Sequence, residues 1–159
     1  MRLLVISDTH KKIRGVLNLL KGDHRFDAII HLGDMVEDAE DLHHISGLPV
    51  YYVAGNCDWG SHYGKSEKVI ELMGKRIYIC HGHLARVKES DDVLRRLIIN
   101  EGYDMALYGH SHVASIRYEG EAILMNPGSI SLPRDGRPSF GVISIDEHGN
   151  IHPNIVRVE

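Results

Sequence analysis

Apolar runs and amphipathic stretches alternate along the first hundred residues. "RLLVIS" (2–7) is almost continuously apolar, as expected for a strand covered on both faces. Ile13, Val16, Leu17 and Leu20 then fall at i, i+3, i+4 and i+7, one face of a helix, and Gly22 suits its stop. "DAIIHLG" (27–33) reads as a second strand, "MVEDAEDLHHISG" as a short helix ending at Gly47, and "LPVYYVAG" (48–55) as a third strand. After the polar loop "NCDWGSHYGKS", strand-like runs at 67–73 and 76–80 flank Gly74-Lys75, which reads as a hairpin turn. Ser90 is placed to cap a helix whose stripe is Val93, Leu94, Leu97 and Ile98, with Gly102 as its stop. "DMALY" (104–108) is another buried strand. Beyond it the chain reads as strand and turn, with hairpins around Glu119-Gly120 and Gly149-Asn150.

The pattern changes character midway, from alternating strand and helix to hairpins. No repeat or linker divides it, so residues 1–159 are expected to form one α/β domain. Two mixed sheets packed face to face with helices outside, an α/β/β/α sandwich, is the expected architecture. A single mixed sheet also satisfies the pattern.

Composition adds little to this until histidine is counted. Of 159 residues, 43% are hydrophobic and 25% charged, ordinary for a globular protein. The net charge of -4 argues against a general nucleic-acid binder, so no stable nucleic-acid partner is expected. No apolar stretch approaches a membrane span, and the first one runs straight into Asp8, unlike a signal peptide. With only two cysteines, Cys57 and Cys80, the reading is cytoplasmic, without a disulfide framework. Twelve histidines is the anomaly.

Ligands of open α/β sheets sit outside the carboxyl ends of strands. Asp8 and His10 follow the first strand, Gly33-Asp34 the second, Gly55-Asn56 the third, His81 and His83 the fifth run, and Gly109, His110 and His112 the sixth. Singly these are a helix cap, a turn or a surface imidazole. Together, five strand ends carry metal-ligand side chains. Imidazoles, carboxylates and an amide oxygen suit manganese, nickel, cobalt, iron or zinc. The donors outnumber what one ion needs. Two ions about 3.5–4 Å apart, sharing a carboxylate, would use them all, clamp a phosphate oxygen and activate a water for in-line attack on phosphorus.

"DTH" (8–10), "GD" (33–34), "GNCD" (55–58), "HGH" (81–83) and "GHSH" (109–112) resemble, in order and spacing, the signature of the calcineurin-like metallophosphoesterase superfamily. The tail "NPGSISLPRDGRPSF" and the short length resemble its small YfcE-like phosphodiesterase branch. The resemblance implies the four-layer fold, a metal-dependent phosphodiesterase and two divalent ions, with manganese taken first. It implies that Asp8, His10 and His112 hold one ion, that Asn56, His81 and His110 hold the other, and that Asp34 bridges them. Where the wider family has histidine in its G-N-H-D/E motif, this chain has Cys57, as is usual in the YfcE-like branch. A thiol with an ordinary pKa of about 8.5 is a poor substitute acid. His83 is therefore expected to assist the leaving group, which makes Asp34, Asn56 and His83 the expected catalytic residues. The alternative is that His83 only orients a ligand.

Other positions carry blander expectations. His31 should be a hydrogen-bonded core residue, Cys80 a small buried hydrophobe, and His43, His44, His148 and His152 solvated. Asp58 should orient a neighbour or cap its loop, and Glu37, Asp38, Glu40 and Asp41 suit a helix's first turn. Arg134 and Arg137 flank a turn. Trp59 and Tyr63 either pack their loop, stack on an aromatic leaving group or support a homo-oligomer contact. The expected partner is a small phosphodiester. The competing functions are a non-catalytic interaction scaffold on the same fold and a nuclease, and the acidic charge weighs against the second.

Overall fold

The computed structural model describes residues 1–22, 25–60 and 64–158. Two five-stranded sheets stack on each other. The first has the order β10-β9-β1-β2-β3, built from β1 (Arg2–Ile6), β2 (Ala28–His31), β3 (Val50–Tyr52), β9 (Ser139–Ile145) and β10 (Ile151–Arg157). The second has the order β4-β5-β6-β8-β7, from β4 (Glu67–Leu72), β5 (Lys75–Cys80), β6 (Met105–Leu107), β7 (Ser115–Glu119) and β8 (Ala122–Asn126). The pairs β1·β2, β2·β3, β5·β6 and β6·β8 are parallel and the others antiparallel, so both sheets are mixed.

Three apolar layers explain the stacking. Leu3, Val5, Ile30 and Ile143 of the first sheet meet Ile77, Ile79, Leu107 and Met125 of the second in one cluster. The opposite face of the first sheet (Leu4, Ile6, Ile29) packs on α1 (Arg14–Lys21) through Val16 and on α2 (Val36–Ser46) through Leu42. The opposite face of the second (Tyr78, Ala106, Leu124) packs on α3 (Asp92–Glu101) through Leu94 and Ile98. The result is the α/β/β/α sandwich. The single-sheet alternative fails because the strands divide into two separately hydrogen-bonded sheets that bury one shared apolar cluster between them.

Several boundaries move. The third strand is confined to Val50–Tyr52, inside the expected 48–55; past it Val53 N–H still reaches the His31 carbonyl, but Ala54 N–H bonds to the Lys65 carbonyl instead of to β2. The β4–β5 hairpin turns at Met73 and Gly74, one residue earlier than expected, and both have positive φ, as a two-residue primed turn demands. The β7–β8 turn is likewise displaced by one, to Gly120-Glu121. Val93 was expected on the buried stripe of α3 but is 48% exposed, while Leu94, Ile98 and the partly buried Leu97 pack on the sheet. Ser90 Oγ accepts the N–H of Asp92, one residue ahead of the geometric N-cap at Asp91. His152 is not merely solvated: its ring pairs with Asp146, whose carboxylate also accepts the N–H groups of His148 and Asn150 and so ties the β9–β10 loop. Pro153 sits on the edge strand β10, where a missing N–H is tolerated.

Candidate metal centre

The loops leaving β1, β2, β3, β5 and β6 meet at one end of the sandwich. Asp8, His10, Asp34 and His112 form one group of donor atoms within 4.8 Å of one another, and Asp34, His81 and His110 form a second. Asp34 belongs to both. Asn56 Oδ1 adjoins the second group, 3.1 Å from His81 Nε2. All seven expected ligands are thus brought together.

Asp8 is fully buried. Ser7 Oγ donates to its Oδ2 at 2.6 Å, and the N–H of His110 donates to the same oxygen at 3.1 Å. Its Oδ1 is left without a hydrogen bond, as is the buried Nε2 of His10. A buried acceptor normally finds a partner, so each orphan marks something the protein alone does not supply. His112 donates Nδ1–H to the Leu132 carbonyl and His81 donates Nδ1–H to the Leu32 carbonyl, both at 2.6 Å. These bonds fix the tautomers and turn both Nε2 lone pairs inward. His112 Nε2 then lies 3.1 Å from Asp8 Oδ1, and His81 Nε2 lies 3.4 Å from Asp34 Oδ1 and 3.2 Å from His110 Nδ1. Electron-rich atoms aimed at each other at this range call for a cation between them. The donor set and the orphaned atoms fit divalent metal ions.

Electrostatics agree. Burial opposes ionisation of Asp8, but the adjacent His112 and His81 rings outweigh it and hold the carboxyl below its ordinary value. Asp34 is held far below its own by His81, again against burial. The Asp8 carboxylate raises His112. Burial, with the His81 charge beside it, brings His110 down to about 4. His83 Nδ1 is buried and unpartnered, its ring 5.4 Å from that of His81 and 6.0 Å from that of His110. Burial followed by the His81 charge lowers His83 as well. At Cys57, loss of solvation and the Asp34 carboxylate push the thiol up to about 11, while its N–H donates to Asp34 Oδ1.

The backbone is bent hard to achieve this. Asp8, His10, Asp34, His110 and His112 all have φ between 45° and 65°, a region costly to L-residues. Close approach explains the glycines in the motifs. A Cβ on Gly55 would stand 2.2 Å from Asp34 Oδ1, and one on Gly109 would stand 1.9 Å from Ser7 Oγ.

Residues outside the motifs hold these loops. Gly33 N–H donates to His31 Nδ1, so the other nitrogen of a neutral His31 carries hydrogen and donates to Thr9 Oγ1. Thr9 donates in turn to Asp38, which also accepts Lys11 N–H. His31 is therefore the hydrogen-bonded core residue expected, while Asp38 does more than suit a helix terminus. Asp58 accepts four backbone N–H groups, from Asp34, Met35, Val36 and Gly55. It caps α2 from another loop and joins the two loops that carry Asp34 and Asn56. Asn126 donates to the Gly109 carbonyl, and Ser129 and Ser131 both donate to the Asp8 carbonyl. The "NPGSIS" segment thereby joins the Asp8 and His110 loops. Its sequence signal, small polar residues directly after a buried strand, is visible but was not read as site-building. Arg134 and Lys88 act electrostatically on His112 and His110. Tyr63 lies outside the described residues.

Residues 1–148 match the calcineurin-like phosphoesterase superfamily domain. The probable metallophosphoesterase YsnB of Bacillus subtilis is 30% identical over 148 residues, covering 92% of this chain and 85% of the relative. The phosphodiesterase YfcE of Escherichia coli K12 is 26% identical over 171 residues, covering 92% and 89%. Wild-type Vps29 of Entamoeba histolytica, whose crystal structure is described as a complex with zinc, superposes with a TM-score of 0.77 at 20% identity, over 99% of both chains. The superposition speaks for the fold, and the matched domain with the relatives speaks for the family: the chain belongs to the calcineurin-like phosphoesterase superfamily.

Proposed function

We propose that this protein is a binuclear metal-dependent phosphodiesterase. The observation that carries the reading is the pair of donor clusters sharing Asp34, with buried Asp8 Oδ1 and His10 Nε2 left unpartnered. Asp8, His10 and His112 hold one ion, Asn56, His81 and His110 the other, and Asp34 both. Manganese is the first choice, with nickel, cobalt, iron and zinc compatible with the same donors. When bound, such ions polarise a phosphoryl oxygen and make a water acidic enough to act as nucleophile near neutral pH.

The chain's own residues do the rest. Asp34 and Asn56 would hold metal, from two strand ends, beside the phosphate. Water adds to phosphorus, the opposite P–O ester bond breaks, and the departing oxygen needs a proton. His83 serves that oxygen. In its protonated form the ring gives an N–H proton to the departing oxygen, and the proton that the attacking water loses returns to the ring. Cys57 keeps its proton and is not a nucleophile at neutral pH. The small diester is the favoured substrate because the site is a convergence of short loops at the end of a sandwich, with a net acidic chain around it.

Metal counting tests the assignment. Protein stripped with chelator and dialysed against manganese should retain about two ions per chain. Asp34→Asn should lose metal and turnover together. Full activity in that variant would overturn the reading, and absence of any metal-dependent turnover would favour a scaffold on the same fold.

A further inference from the structure

Metal ions account for the missing partners of Asp8 Oδ1 and His10 Nε2. They do not account for His83 Nδ1, which is buried, unpartnered and outside both donor clusters. A buried ring nitrogen is seldom left so. His83 also lines a cavity of about 10 Å³, walled further by Ser66, Glu67, Tyr78 and Cys80. We propose that this cavity holds one water molecule that joins His83 Nδ1 to the Glu67 carboxylate, making Glu67 a positioning residue for the proton-donating imidazole. The inference rests on the role given to His83 in the phosphodiesterase reading and names the group that orients it.

Size and chemistry both select water. A space of this volume takes about one water and nothing larger, provided that several polar groups face it. None of the seven metal ligands lines it. Ser66 Oγ makes no hydrogen bond among the described residues, although the Ser66 carbonyl accepts His81 N–H. Tyr78 donates its hydroxyl to Glu67 Oε2 at 2.5 Å, and Glu67 Oε1 keeps no protein partner among the described residues. Burial pushes the Cys80 thiol up, so it stays protonated and adds no charge. Glu67 is brought there by the β4–β5 ladder, where it pairs with Cys80, level with the end of the strand that His83 follows.

The direction of the chain follows from its ends. An ionised carboxylate accepts hydrogen bonds and never donates them. The water gives Glu67 one hydrogen and takes Nδ1–H from His83, which favours the ring hydrogen at Nδ1. Nε2 is then the nitrogen that exchanges a proton with the ester oxygen. His81 and His112 are held the same way by carbonyls, each through its own Nδ1–H. The His83 ring, 5.4 Å from that of His81 and 6.0 Å from that of His110, belongs to the cavity wall and to the edge of the centre at once. Glu67 is itself exposed, so solvent screens its charge, and what it supplies is orientation.

The tautomer of His83 tests this apart from turnover. Long-range ¹H–¹⁵N correlation spectra of the imidazoles are recorded on zinc-loaded protein, zinc being diamagnetic. His83 should be the Nδ1–H tautomer, and Glu67→Ala should move it toward Nε2–H. Glu67→Gln keeps an acceptor oxygen and should keep the tautomer, as should Tyr78→Phe, which removes only the other partner of Glu67. An Nε2–H ring in the unaltered protein, or a tautomer indifferent to Glu67→Ala, would overturn the proposal. So would a crystal structure of the zinc-loaded protein without an ordered water in hydrogen-bonding distance of Nδ1. Turnover of manganese-loaded protein supplies the second arm. Glu67→Ala should lower kcat for a diester with an alkyl leaving group about tenfold more than kcat for bis-p-nitrophenyl phosphate, and Glu67→Gln should restore most of the difference. Equal losses on the two esters would contradict the positioning role. A tautomer set by Glu67 in a protein whose alkyl-diester turnover ignores His83→Ala would keep the water site and remove the acid reading. An unresponsive tautomer with turnover that depends on His83 would do the reverse.

Discussion

His31 donates Nε2–H to Thr9 Oγ1 at 3.0 Å, beneath the loops that carry Asp8, His10 and Asp34. The bond requires a neutral ring, because Nδ1 is occupied as acceptor of Gly33 N–H. Burial pulls His31 down to about 4, against the opposing charge of Asp38. A histidine depressed in the folded state contributes its stability above the unfolded pKa of about 6.5. That contribution drains away as pH falls from there through about 4. On the order of 3 kcal/mol is at stake. Denaturant titrations at pH 7 and pH 4.5 should show a smaller loss in His31→Gln than in the unaltered protein. Equal losses in both would mean that His31 is not the titrating group.

Asp58 provides the second stability prediction. Its carboxylate is the acceptor for four backbone N–H groups at the head of α2 and on the Asn56 loop. Asp58→Ala removes all four partners and should cost about 3 kcal/mol. Asp58→Asn keeps one acceptor oxygen and should cost less. Both should weaken metal retention, because Asp34 N–H and Gly55 N–H lose their anchor. Thermal melts with and without manganese measure the two effects together.

How far these roles could be read beforehand depended on the range of the contact. The five strand ends were legible because the ligands follow apolar runs directly, and the motifs put the right side chains at consecutive turns. His31 was legible as a core residue for the same local reason. The Asp58 clamp was only half legible. A carboxylate after "GNC" suggests a cap, but which helix it caps depends on β2 and β3 lying side by side. Asp38 and the "NPGSIS" segment were missed because their partners, Thr9 and Asp8, are 29 and more than 100 residues away in the chain. The division into two sheets was legible only as a change of rhythm, and its order, with β8 placed between β6 and β7, was not written in any local pattern.

Glycine substitutions separate packing from conformation. A methyl at Gly109 would collide with Ser7 Oγ and approach Asp8 Oδ2 to 3.0 Å. Gly109→Ala should therefore destabilise by roughly 1–3 kcal/mol and release metal. Gly15 lies inside α1 with its nearest neighbour atom 4.0 Å from such a methyl. Gly15→Ala should stabilise by about 0.5–1 kcal/mol. Opposite signs in the two melts are the expected result, and two losses of equal size would contradict the close-approach account.

The role given to His83 has a signature in the leaving group. A good leaving group such as p-nitrophenolate departs without a proton, so His83→Ala should affect its release little. A diester with an alkyl leaving group needs that proton, and there kcat should fall by roughly 10²–10⁴. Metal content should stay unchanged. A loss independent of the leaving group, accompanied by loss of metal, would make His83 a residue that orients His81 instead.

The central claim is metal-dependent cleavage of a phosphodiester. Protein stripped with chelator and resupplied with manganese should hydrolyse bis-p-nitrophenyl phosphate faster than p-nitrophenyl phosphate, and do neither before manganese is restored. No turnover of either ester with manganese, nickel or cobalt would contradict it.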